Sequence, residues 1–439
     1  MTVVAFALVV AVGVGWLVVT ARGAGSAPDR ALQVAWQLAA ASFLSAPEEL
    51  VGEQGEIALQ VGLGALAALA VGVRFVLQGR EHWSVAVTPW LAVYGVVLAG
   101  SAVFSSSPEV AALRGLRAVV LLLVFGQAAA WLDRAVLRRL FLQLTAGLAV
   151  VVAIGPVVAG GDAFHPLRAP VIRWALQAPV IGSGPHVVAA IGFGLALATA
   201  WCWFDGDRPV VGTRAWFLRV AGPGSAGALL VLASQKRAFW LAIAVAALTW
   251  LVLRHRRWLV PAVAAVAVVG VSFLAVGPLR ELWDREQSRP QIDNIASVRG
   301  AIFDASLDRF RERPIIGDGL GVGNRDLLID VGQEGLGWSS HSEVGAALAA
   351  TGLLGLAVLA WAHVHGGRGA VAAWRERADP MALVALTASL ALLPFWRVLQ
   401  EPLVVGLAYY TLVFPIHDWR RRGPGATSAP PTAGVEVGR

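Results

Sequence analysis

Residues 339–355 read SSHSEVGAALAATGLLG. Two ionisable side chains, His341 and Glu343, stand at the head of an apolar run that continues through Leu353 and Leu354 to Trp361. From Val344 to Trp361 the run carries no charge, and its length approaches the ~20 residues that cross a bilayer as a helix. Ionisable groups inside or beside such a helix cost up to about 2.5–3.5 kcal/mol at mid-bilayer, so they mark a polar pathway or a site.

Apolar runs of this kind recur along all 439 residues. The chain is 57% hydrophobic and only 14% charged, with mean hydropathy +0.68. A soluble domain carries about 25% charged residues. The pattern predicts an all-α polytopic membrane protein; a transmembrane β-barrel would show short alternating segments instead. Helices are expected near residues 2–20, 31–46, 57–77, 84–104, 116–132, 140–160, 186–204, 217–233, 238–253, 258–277, 343–362, 381–396 and 403–416. That gives about 12–13 transmembrane helices, the second and last being short. The first run lacks the basic leader of a signal peptide and reads as a retained helix.

Arginine placement sets the expected orientation. The groups Arg134/Arg138/Arg139, Arg208/Arg214/Arg219, Arg254/Arg256/Arg257, Arg368/Arg375/Arg377 and Arg420/Arg421/Arg422 fall on one side, which is then cytoplasmic. The acid-rich loop PEELVGEQGE, residues 47–56, falls on the other. The net charge of +7 and the sequence pI near 10.7 follow from these basic loops and do not call for nucleic acid. The single cysteine, Cys202, excludes an intramolecular disulfide and a thiolate metal cluster. It lies in an apolar run, as an inert membrane thiol would.

One connection is long. Residues 278–342 form a hydrophilic loop expected on the outer face, inserted in a single membrane domain spanning 1–422. Within it, ASVRGAIFDASLDRF reads as a helix with Phe303, Leu307 and Phe310 on one stripe, stopped by Pro314. The glycines of IIGDGLGVGN then permit tight turns and close backbone approach. The tail 423–439 reads as disordered and cytoplasmic.

In this topology Arg237 in SQKRAFW, Arg299 early in the loop helix, and His341 share the outer level. Each also has a purely structural role open to it. Arg237 can anchor a helix at the interface, and Arg299 can pair with Asp304 or Asp308. His341 can belong to a helix start capped by Ser339 or Ser340, and Glu343 can complement the helix dipole. GDGLGVG follows a proline-ended helix and no strand, so it is not a dinucleotide fingerprint. Asp205 and Asp207 fall inside, away from the outer cluster. His363 and His365, at the expected cytoplasmic end of their helix, have poor ligand geometry. No metal set is expected.

Three stretches resemble the O-antigen ligase and polymerase family, membrane glycosyltransferases that act on polyprenyl-diphosphate-linked glycans. SQKRAFWLAIAV resembles the family's Ser-x-x-Arg helix entry. SVRGAIFDASLDRFRERPIIGDGLG resembles its arginine-bearing loop helix and Pro-x-x-Gly-x-Gly turn. HSEVGAALAATGLLGL resembles its histidine-led helix with a Thr-Gly-Leu-Leu-Gly ending. Together they cover roughly residues 230–360. The chain departs from the family pattern at Ala350, where an acidic residue often precedes Thr-Gly, and at Gly345, where leucine is frequent; Glu343 is additional.

The resemblance implies transfer from undecaprenyl diphosphate on the outer face of the bacterial cytoplasmic membrane, with neither metal nor other cofactor. Partners would be the lipid-linked glycan donor, a glycan, lipid or protein acceptor, and membrane lipid. Arg237 and Arg299 would hold the donor diphosphate, since arginine offers a planar fork of donors that stays charged. His341 would act as general base or position the acceptor. Lys236, Arg309 and Glu343 would support them. The same residues suit a repeat-unit polymerase or a protein oligosaccharyltransferase. A lipid-linked oligosaccharide flippase would need charge lining a mid-membrane cavity, and here Arg397 is the nearest such charge.

Overall fold

The computed structural model describes residues 26–41, 48–78, 89–105, 108–159, 185–204, 209–234, 237–254, 260, 264, 295–319, 342–377 and 379–393. Among these, every regular element is helical, and the chain is an all-α membrane protein. The helices are α1 (Ala27–Ala41), α2 (Glu48–Gln78), α3 (Pro89–Gly100), α4 (Pro108–Trp131), α5 (Arg134–Ala159), α6 (Pro185–Phe204), α7 (Gly222–Ser234), α8 (Arg237–Arg254), α9 (Ile295–Glu312), α10 (Glu343–Arg377) and α11 (Met381–Leu392). Among the described residues, three stretches are long and apolar enough to cross a membrane: Leu59–Leu77, Arg214–Leu232 and Glu343–Glu376. The expected helices at 2–20 and 403–416, nearly all of 258–277, and the tail lie outside the described residues.

Several boundaries differ from the expectation for identifiable reasons. The element before α7 starts at Arg214 and passes through a π-turn, Phe217–Ala221, in which the Gly222 N–H donates to the Phe217 carbonyl. Pro223 follows directly. It has no N–H for the regular i→i−4 ladder, and the chain widens by one residue just before it. Helix α5 begins at Arg134, six residues before the apolar run expected at 140. The reason is tertiary: Arg134 forms an ion pair with Asp379, the residue that precedes Pro380 and α11, and its guanidinium lies 5.7 Å from the Trp201 ring.

Helix α10 runs to Arg377, fifteen residues past the expected end at 362. Gly366 and Gly367 are poor helix formers, but Ala370 and Ala373 beyond them are buried, and packing outweighs propensity. His363 is therefore inside a helix, with its Nδ1 2.8 Å from the Leu359 carbonyl, and not at a helix end as the sequence suggested. Cys202 is buried in the apolar helix α6, in the run where the sequence placed it.

Helices α6 and α7 pack through glycines. A Cβ on Gly192 would lie 2.7 Å from the Gly227 carbonyl oxygen, and one on Gly227 would lie 2.7 Å from that of Gly192. Small residues permit this backbone approach, which supplies van der Waals contact where lipid offers no hydrophobic drive. Gly192→Leu is expected to wedge the pair apart at a cost of about 1–3 kcal/mol, as overpacking does. Thermal unfolding in detergent checks this, and an unchanged midpoint would contradict the packing account.

Among the described residues, Arg74 is a charge held inside the bundle. Arg74 of α2 is buried, donates to the Gln127 side-chain oxygen of α4 at 3.1 Å, and lies 4.9 Å from the Trp131 ring. Both contacts suit a guanidinium withdrawn from water.

Candidate active site

The contacts give the bundle two distinguishable ends. Phe193 meets Phe239 edge-on with centroids 6.0 Å apart, and Phe204 stacks on Trp250 at 4.8 Å, so α6 and α8 run parallel. Trp201, near the end of α6, is the ring beside Arg134, and Arg134 pairs with Asp379 at the start of α11. The heads of α5 and α11 and the tails of α6 and α8 therefore share one end. Arg237, the first residue of α8, stands at the other. The tail of α11 points the same way, and there the Leu393 carbonyl accepts from the Glu343 N–H, the first of α10, at 3.0 Å.

The head of α10 is built by two further contacts. Ser342 caps it, its Oγ accepting from the Gly345 N–H at 3.2 Å; the cap is Ser342 and not Ser339 or Ser340. The Glu343 side chain is fully buried, and the Tyr94 hydroxyl of α3 donates towards its Oε1 at 3.5 Å. A carboxylate in the first turn of a helix is favoured by the positive end of the helix dipole. Nothing in the sequence marks Tyr94, which lies in a uniformly apolar helix.

Further along α10, a break at Gly352 organises the site. There the backbone takes φ 61°, ψ −154°, a conformation essentially confined to glycine. In an unbroken helix the Ala349 and Ala350 carbonyls would accept from the Leu353 and Leu354 N–H groups. Here the turn that follows α9 is spliced between them. The Asp318 N–H donates to the Ala349 carbonyl at 2.8 Å and the Gly319 N–H to the Ala350 carbonyl at 2.9 Å. The Leu353 N–H donates to the Pro314 carbonyl at 2.8 Å and the Leu354 N–H to that of Ile315 at 3.1 Å. Four backbone groups freed by the break are all satisfied, as buried backbone requires. Gly317, with φ 63°, makes the splice possible: a Cβ there would lie 2.6 Å from the Ala350 carbonyl carbon. The PIIGDG and TGLLG stretches, read as separate motifs in the sequence, are two halves of one joint.

The joint is latched by charge. The Asp318 carboxylate, 11% exposed, accepts from Arg309 of α9 at 3.1 Å and lies 3.3 Å from Arg313 Nε. Arg313 also donates to the Phe104 carbonyl at 3.2 Å, tying the turn to the segment after α3. Arg309, expected to support the site, is thus engaged within the joint. Among the described side chains of α9, Ser306 is buried, Leu307 and Phe310 are half-buried, and Phe303 is 42% exposed. Gly345 of α10 lies against Phe303 and Ser306, where a Cβ would already touch both. A leucine at this position would have to displace them.

Of the other candidates, Arg299 is the fifth residue of α9 and Arg237 the first of α8, and the structure describes their backbones only. His341, Lys236 and Arg397 lie outside the described residues, as do Asp205 and Asp207. Among the described residues no three His, Cys, Asp or Glu side chains are grouped to hold a metal ion.

Residues 225–360, from α7 to the upper part of α10, match the family model described as O-antigen ligase. This segment is O-antigen ligase-like. No curated protein matches the chain. The ligase-like segment contains Arg237, Arg299, Glu343 and the whole α9–α10 joint, and the match supports an enzyme of the O-antigen ligase or polymerase type, acting in general on a lipid-linked glycan and an acceptor.

Proposed function

We propose that the protein transfers a glycan from undecaprenyl diphosphate to an acceptor hydroxyl at the outer face of the cytoplasmic membrane, without a metal. The observation that carries the reading is the joint: the arginine-bearing α9 is spliced into the helix whose head follows His341, within the segment that matches the ligase family. In the reaction the acceptor oxygen attacks the anomeric carbon, and its proton passes to His341. The bond from that carbon to the diphosphate breaks, and undecaprenyl diphosphate leaves with the electron pair. Arg237 and Arg299 grip the diphosphate, because a planar guanidinium matches two phosphate oxygens at once. The membrane domain spans 1–422 with the 278–342 loop outside, and the tail 423–439 lies in the cytoplasm.

Arg299→Lys separates this reading from a surface ion pair with Asp304. An exposed pair is worth ~0–1 kcal/mol, and lysine would serve equally. A two-pronged diphosphate contact is lost on lysine, because a point ammonium has no fork. Transfer from a purified polyprenyl-diphosphate glycan in nanodiscs, with chelator present, is expected to drop sharply in Arg299→Lys and in Arg237→Lys. Full activity in both variants would remove the diphosphate clamp, and loss of wild-type activity on adding chelator would contradict the metal-free transfer.

A further inference from the structure

We infer that Asp318 is a positioning residue: through its latch on α9 it sets where the donor-binding arginine of that helix stands over the head of α10. The inference rests on the transfer reaction proposed above. Asp318 fastens both partners at once. Its N–H bonds the Ala349 carbonyl in the broken helix, and its carboxylate holds Arg309, one turn from the end of α9, and Arg313 beyond it. Arg309 is ten residues along from Arg299, about 15 Å at the α-helical rise, so a small rotation at the latch is magnified at Arg299. The backbone bonds of the joint fix the turn to α10 but do not themselves fix the direction in which α9 leaves it. Packing of Phe303 and Ser306 against Gly345 lays α9 along α10, and the two arginines on one buried carboxylate anchor the end of α9 that joins the turn, through charge-assisted pairs.

The geometry also explains why the turn needs an acidic residue and not merely glycines. Gly317 and Gly319, with φ 63° and 92°, let the backbone enter the break, but neither can reach back to α9. Asp318 lies between them and is the residue of the turn that carries a charge.

The test uses the full chain in nanodiscs. Cys202→Ser removes the native thiol, and spin labels at Asp304→Cys on α9 and Ala357→Cys on α10 report the distance between the two helices. Asp318→Asn keeps the size of the side chain and removes its charge. It is expected to broaden the distance distribution and to raise the KM for the polyprenyl-diphosphate glycan about tenfold, equivalent to about 1.4 kcal/mol of donor binding. Its kcat should fall much less. Asp318→Glu, which keeps the charge, should recover most of both. A lesion that merely unfolds part of the population would lower kcat per molecule and leave KM alone, and that result overturns the inference. So does a narrow, wild-type distance distribution in Asp318→Asn, or a broadened one with unchanged donor KM. A wild-type chain that transfers no glycan from any polyprenyl-diphosphate donor would instead refute the transfer reaction, which the unchanged distance signal of that chain would distinguish from a broken latch.

Discussion

His341→Ala is expected to lower glycan transfer by ~10²–10⁴-fold, the usual loss for a general base, while the protein still inserts and folds. An acceptor hydroxyl is a poor nucleophile until its proton has somewhere to go. The arginines stabilise the leaving diphosphate but cannot take that proton, because guanidinium stays protonated. Folding should survive because the head of α10 is held by other groups: Ser342 caps it and the Glu343 N–H is bound by the Leu393 carbonyl. The variant therefore tests chemistry and not stability. Initial rates per inserted molecule, alongside the thermal unfolding midpoint, are the measurement. His341→Gln keeps a hydrogen-bonding side chain but no base, and activity in this variant alone would assign His341 to acceptor positioning. A His341→Ala rate within about threefold of wild type would remove it from the mechanism.

Gly352→Ala is expected to disrupt the joint and, with it, activity. Its φ/ψ region costs a residue with a Cβ about 1–3 kcal/mol. In addition the new Cβ would lie 2.7 Å from the carbonyl oxygens of both Pro314 and Ile315. Those are the acceptors for the Leu353 and Leu354 N–H groups, so relieving the clash breaks hydrogen bonds worth about 1 kcal/mol each. The sum, on the order of 3 kcal/mol or more, exceeds what the helix gains by closing the break and running straight. Hydrogen exchange at the Leu353 and Leu354 amides should rise, and limited proteolysis after Arg311 should quicken. Unchanged protection at those amides would show that the splice is not what holds α9 to α10.

The sequence by itself determined that the chain is a helical membrane protein, because crossing a bilayer demands long uncharged runs, and these are visible however the helices pack. It also located the region of interest, since Arg237, Arg299, His341 and the glycine-rich turn stand out against an apolar background. It did not determine how those pieces meet. PIIGDG reads as a turn and TGLLG as the middle of a helix, because hydropathy records burial and not hydrogen-bond partners. Only the tertiary structure shows that a helix broken at Gly352 frees four backbone groups and that the turn supplies their four partners. The same limit hid Tyr94, which looks apolar until Glu343 is placed opposite it, and the true reach of α10, whose glycine pair is stabilised by packing around Ala370 and Ala373. Local sequence decides which segments leave water; which backbone and charged groups then satisfy one another depends on residues far apart in the chain, and folding in three dimensions decides it.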